Sequence, residues 1–241
     1  LSSKLIGYLS YGYPSIEKSI EIANIYAKSG CDVIEISYPT DNAYIDSEYI
    51  SLRMKYAIEK CNDTKKYFQG ISKIRENNPS VQLLLLIYEH SIIDLGVNNF
   101  IKYCKDNLIE DIILVGTKDN FIKNKLIEEG LKISCYVTFS MPDSEIKEAK
   151  SSNGFVYFQA KPSGKVKEGY ETLDKCIKYL KEIGIKTPIY VGVGISTKED
   201  VLMASRAGAD GIFVGSAILK KQDDFKELED FIIELKSGII K

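Results

Sequence analysis

Eight short apolar runs, spaced by stretches of helical period, constrain this chain more than any other feature. They are LIGYLS (5 to 10), VIEI (33 to 36), LLLLI (83 to 87), IILV (112 to 115), ISCYV (133 to 137), FVYF (155 to 158), IYVGV (189 to 193) and GIFVG (211 to 215). Between two of them, SIEKSIEIANIYAKSG (15 to 30) repeats apolar residues at three- and four-residue steps and ends on Gly30, a helix stop. STKEDVLMASRAG (196 to 208) repeats the design, with Ser196 expected to cap the first turn, Glu199 to complete a capping box and Gly208 to close the helix. Strands joined by amphipathic helices imply right-handed parallel crossovers. Eight such units point to one closed eight-stranded parallel α/β barrel, the (β/α)8 or TIM-barrel arrangement, with an open sheet as the alternative. No linker-like composition breaks the chain, so residues 1–241 are expected to form a single domain.

Composition narrows the function classes. A net charge of −2, with Lys and Arg interspersed among Asp and Glu, argues against a nucleic-acid footprint or a polybasic membrane patch. A small molecule is the expected ligand. The five cysteines stand far apart without a CxxC pair, and there is one histidine, so neither a disulfide framework nor a metal site is expected. GVGIS (192 to 196) lacks the third glycine of a dinucleotide fingerprint. The opening LSSKLIGYLS has no signal-peptide character and no apolar run approaches the length of a membrane span, so a cytoplasmic location is expected.

In a parallel barrel the ligand lies at the C-terminal ends of the strands. The seventh and eighth ends carry GVGIS and VGSAI (214 to 218), where Gly194, Gly215 and Ser216 let backbone amides approach an anion. A phosphate cradle is the expectation there, against relief of crowding at a barrel rim. The second end carries Glu35, a carboxylate inside an apolar strand; burial would raise its pKa and suit it to proton transfer near neutral pH. Asp46 follows in the loop, where it could also cap the next helix. Tyr8, Tyr88 and Tyr157 sit on or at the ends of strands and could wall a ring-bearing ligand or fill the core, while His90 is expected at the surface or rim. The residues alone leave acid/base cleavage, isomerisation and proton transfer open.

Taken together these stretches resemble the tryptophan synthase alpha subunit family. GYLSYGYP (7 to 14) is similar to its first-strand motif. VIEISYPTDNAYID (33 to 46) places Glu35, Pro39 and Asp46 in register with its catalytic pattern, LLLLIY (83 to 88) ends in the expected tyrosine, and GVGIST and ADGIFVGSAI resemble its phosphate loops. The resemblance implies a lyase that splits indole-3-glycerol phosphate into indole and glyceraldehyde 3-phosphate. On that pattern Glu35 is the general acid/base and Asp46 the acceptor for the indole N–H. Tyr157 positions the glycerol chain; Tyr8, Leu86, Tyr88 and Leu114 line the indole pocket; Gly194, Gly215 and Ser216 hold the phosphate. The resemblance also implies no cofactor in this chain and a partner beta subunit that carries pyridoxal phosphate. Three loops depart from the pattern: TDNAY (40 to 44), GTKDN (116 to 120) and KPSGKV (161 to 166). The rival readings are another phosphate-binding barrel enzyme, an isomerase or transferase, and a weakly active relative that regulates its partner.

Overall fold

The computed structural model describes residues 2–240. It comprises two compact units, one of residues 2–7, Ser29–Asp32 and residues 134–240, the other of Tyr8–Lys28 and Val33–Ile133. Strand β1 (Lys4–Ser10) gives residues 4–7 to the former and 8–10 to the latter.

The unit that contains residues 33–133 is built on parallel strands β2 (Val33–Ser37), β3 (Gln82–Tyr88), β4 (Asp111–Val115) and β5 (Lys132–Ile133), in the order β5-β4-β3-β2. All five residues of β2 are buried, and so are most of β3. Burial on both faces is what makes these strands read as near-continuous apolar runs, which Glu35 alone interrupts within VIEI. Each fully buried Ile or Leu, such as Ile34 and Ile36, contributes roughly 1.5–3 kcal/mol relative to exposure. The predicted helix at 15 to 30 spans Ile16–Ser29, and Gly30 follows with φ +116°, which a side chain would resist. Ser47 caps the helix Glu48–Lys60, its hydroxyl accepting the Ile50 N–H at 3.4 Å.

The other unit places β6 (Cys135–Val137), β7 (Val156–Gln159), β8 (Ile189–Gly192) and β9 (Gly211–Val214) beside the start of β1, in the order β1-β9-β8-β7-β6. Aromatic side chains fill one face of it: Tyr157 stacks on Phe213 at 4.5 Å and Phe155 on Tyr190 at 4.6 Å.

Two sequence expectations need correction. The run ISCYV is not one strand but β5 and β6, interrupted at Ser134, so the described residues form nine strands where eight runs were read. The helix after β8 starts one residue later than read. Lys198–Arg206 is capped by Thr197, whose side chain accepts from the Asp200 N–H, and Asp200 rather than Glu199 completes the capping box. Thr197 is extended (φ −133°), as an N-cap residue is, and that moves the third helical position to Asp200. Gly208 follows the helix with φ +86°, as expected.

Candidate active site

Strand alternation puts Val33, Glu35 and Ser37 on one face of β2. Glu35 is 5% exposed, and its carboxyl makes no hydrogen bond or ion pair among the described residues. Burial first, and then the nearby charge of Asp46, push its pKa up to about 8. A carboxyl in that state is protonated at neutral pH and can both give and take a proton near it.

Asp46 is set by its neighbours. Tyr88, at the end of β3, donates its hydroxyl to Asp46 Oδ2 at 2.6 Å, and the Ile45 N–H donates to the same hydroxyl at 3.3 Å. Burial raises the Asp46 pKa and the Tyr88 hydrogen bond opposes the rise. The loop that carries Asp46 is tied down at two further points. Thr40 Oγ1 and His90 Nε2 share a hydrogen bond of 2.7 Å, and the Ser51 hydroxyl donates to the Ala43 carbonyl at 2.9 Å. Tyr88 therefore belongs to both alternatives raised by its sequence position: its ring is core, packed with Ala43 and Met54, and its hydroxyl serves the site. His90 is half-buried and holds the loop, a role that its place in the sequence did not suggest.

The register sorts the expected apolar wall. Ser37 pairs with Leu86, Leu86 with Ile113 and Tyr88 with Val115, so these side chains share the face that bears Glu35. Leu114 pairs with Ile87 and lies on the opposite face. Leu114 is thus removed from the expected pocket, and Ile113, one residue earlier, stands where it was placed. Tyr8 is buried near Glu35 and Asp46, whose charges act with burial to raise its pKa.

The expected phosphate and glycerol residues lie in the other unit. Tyr157 on β7 runs over Gly192: a Cβ there would stand 2.2 Å from the Tyr157 hydroxyl, so this glycine makes room for the tyrosine. After β8 the chain turns through positive φ at Val193 (+66°) and Gly194 (+88°). Asp200 Oδ2 then takes the amides of Ser196 and Thr197, at 2.9 and 3.2 Å, so these two are not open to a ligand. Lys161, the first residue of the divergent loop KPSGKV, crosses Gly194 and pairs with Asp200 Oδ1 at 2.6 Å. After β9, Gly215 caps the short helix Ser216–Leu219, and a Cβ there would meet nothing within 4 Å, leaving the backbone open to close approach. The first amides of such a turn have no partner within the helix. Among the described residues no group of three or more His, Cys, Asp and Glu is placed to hold a metal ion.

The family model for the tryptophan synthase alpha chain matches residues 2–237. The chain belongs to the tryptophan synthase alpha chain family. Alpha chains from Caldicellulosiruptor saccharolyticus and Caldicellulosiruptor bescii are 30% and 29% identical to it, over 96% and 97% of this chain and 92% and 91% of theirs. A structure from Aquifex aeolicus superposes with a TM-score of 0.86 at 24% identity, covering 100% of this chain and 94% of that one. A chain of the tryptophan synthase complex from Pyrococcus furiosus gives 0.83 at 23% identity, covering 98% and 100%. The fold is accordingly the parallel α/β barrel of this family, and membership carries with it a lyase role in tryptophan biosynthesis. Among the described residues no helix is long and apolar enough to cross a membrane.

Proposed function

We propose that the chain cleaves indole-3-glycerol phosphate to indole and glyceraldehyde 3-phosphate, with Glu35 as the proton-transfer group. The observation that carries this reading is the buried carboxyl of Glu35, unpartnered and raised to about 8, on the same unit as a second, anchored carboxylate. Glu35 gives its proton to the ring carbon that bears the side chain. Asp46, with Oδ2 held by Tyr88, would take the ring N–H on Oδ1 and stabilise the positive charge that then develops on the ring. The bond from ring to side chain breaks, its electrons return to the ring, the carbinol oxygen becomes the aldehyde oxygen and its proton passes to Glu35. Atoms and protons balance, and Glu35 ends as it began.

Tyr8, Leu86, Tyr88 and Ile113 are assigned to the indole ring and Tyr157 to the glycerol chain. The phosphate is assigned to Gly194, Gly215 and Ser216, where the open backbone at Gly215 supports it best. The same proposal keeps residues 1–241 as one domain, places the chain in the cytoplasm and pairs it with a tryptophan synthase beta subunit, the carrier of pyridoxal phosphate. The partner is supported by the likeness to a tryptophan synthase complex and by Tyr44 and Ile45, 61% and 60% exposed beside Asp46.

The test is indole release from indole-3-glycerol phosphate by the purified chain, with and without a beta subunit of the same source, beside Glu35→Gln. Release that Glu35→Gln abolishes is expected. Folded protein that releases no indole under either condition would return the case to another phosphate-binding barrel enzyme or to a regulatory role.

A further inference from the structure

Most buried tyrosines around β1 and β3 spend their hydroxyls on the protein. Tyr11 donates to the Tyr67 carbonyl at 2.6 Å, Tyr26 to the Tyr8 carbonyl at 2.8 Å, Tyr67 to the Ala57 carbonyl at 2.9 Å, and Tyr88 to Asp46. Tyr8 does not. Its hydroxyl and that of Ser37 are both buried and have only each other: the Ser37 hydroxyl lies close enough to act on the Tyr8 phenol, yet the two do not meet in hydrogen-bonding geometry, and neither has another partner among the described residues. Leaving a buried hydroxyl unpaired costs roughly 1–3 kcal/mol. Two such groups together, next to an equally unpartnered Glu35, are a polar surface without a use in the fold.

Their position says what the use is. Ser37 follows Glu35 by two residues on β2, so it shares that face about 7 Å nearer the strand's C-terminal end, where ligands of such barrels bind. Because Ser37 shares the Glu35 face of β2 and Tyr8 lies beside Ser37, the hydroxyls stand at the proton-transfer end of the site. We propose that Tyr8 and Ser37 bind the carbinol oxygen of the substrate, the atom that turns from hydroxyl to aldehyde oxygen as the carbon–carbon bond breaks. This rests on the lyase reading above. Before cleavage the substrate hydroxyl donates to Glu35 and accepts from Tyr8. As its proton leaves for Glu35, negative charge grows on the oxygen, and the Tyr8 and Ser37 hydroxyls both donate to it, in the manner of an oxyanion hole. No proton leaves either residue, so the balance of the reaction is unchanged. Burial suits Tyr8 to the task because it keeps the phenol protonated.

The experiment compares two phosphate esters: indole-3-glycerol phosphate, and indole-3-propanol phosphate, which has the same ring and phosphate but neither side-chain hydroxyl. Turnover of the first and competitive inhibition by the second are measured for the unaltered chain, Tyr8→Phe and Ser37→Ala, with the beta subunit present if turnover requires it. Each substitution is expected to lower kcat/KM for the hydroxylated ester by about tenfold and to leave inhibition by the propanol ester within about twofold. Equal losses toward both esters would make the pair merely structural and overturn the proposal, as would no loss toward either. Ser37→Ala decides the matter alone if Tyr8→Phe does not fold. An unaltered chain that neither turns over the first ester nor binds the second would instead overturn the lyase reading itself, and this proposal with it.

Discussion

The hydroxyl of Tyr88 and Oδ2 of Asp46 are 2.6 Å apart, and this bond joins the loop after β2 to the end of β3. A carboxylate on a loop is imprecise unless something rigid holds it, and here a fully buried ring supplies the anchor.

Tyr88→Phe keeps the ring and removes the bond. The Asp46 pKa, already raised by burial and checked by this hydroxyl, should rise further. The acid limb of kcat/KM for indole release should therefore move to higher pH, with a loss of about tenfold at the optimum. An unchanged acid limb would separate Tyr88 from the chemistry.

Glu35 makes stability depend on pH in a direction opposite to the usual carboxylate. Its folded pKa of about 8 lies above the ordinary glutamate value of 4.5, so between these values the folded chain holds a proton that the unfolded chain has released. The stability that Glu35 would otherwise permit is lost as pH rises through this window and is fully lost above about 8. The full effect is on the order of 5 kcal/mol. Urea unfolding at pH 5, 7 and 9 should show the decline, and Glu35→Gln should flatten it while abolishing turnover. A variant as pH-sensitive as the parent would place the titration elsewhere.

Much of this was legible in the chain, and where it was not the reason is physical. Strands buried on both faces write continuous apolar runs, so their positions could be read to within a residue or two. The same continuity leaves the face of each residue unmarked: IILV has no polar residue to set a phase, so nothing local could check Leu114, which the family resemblance put in the pocket, against Ile113. Ser37 could have been found, because a residue two after Glu35 must share its face. The cap at Thr197 was ambiguous because Ser196 and Thr197 can both cap. The bond between Thr40 and His90 joins residues fifty apart, and no local signal announces it.

The two glycines at the ends of β8 and β9 should behave differently. Gly192→Ala drives a Cβ into the Tyr157 hydroxyl and should cost roughly 1–3 kcal/mol of stability through overpacking. Gly215→Ala enters open space and should leave the thermal midpoint nearly unchanged while raising KM, if the backbone there meets the phosphate. Thermal melts and competition by inorganic phosphate distinguish the two.

His90→Ala releases Thr40 and with it one of the loop's anchors. A several-fold loss in kcat/KM and faster proteolytic cleavage within residues 40–46 are expected, with little change in global unfolding. Loss of stability without faster local cleavage would show that His90 supports the core instead.

The central claim is that Glu35 is a neutral acid at neutral pH, and its titration can be observed directly. In protein carrying carbon-13 at glutamate carboxyls, with Glu35→Gln identifying the resonance, the Glu35 signal should titrate near pH 8. Titration near 4.5 in the folded chain would contradict the account, because the proton that it assigns to the ring carbon would not be there.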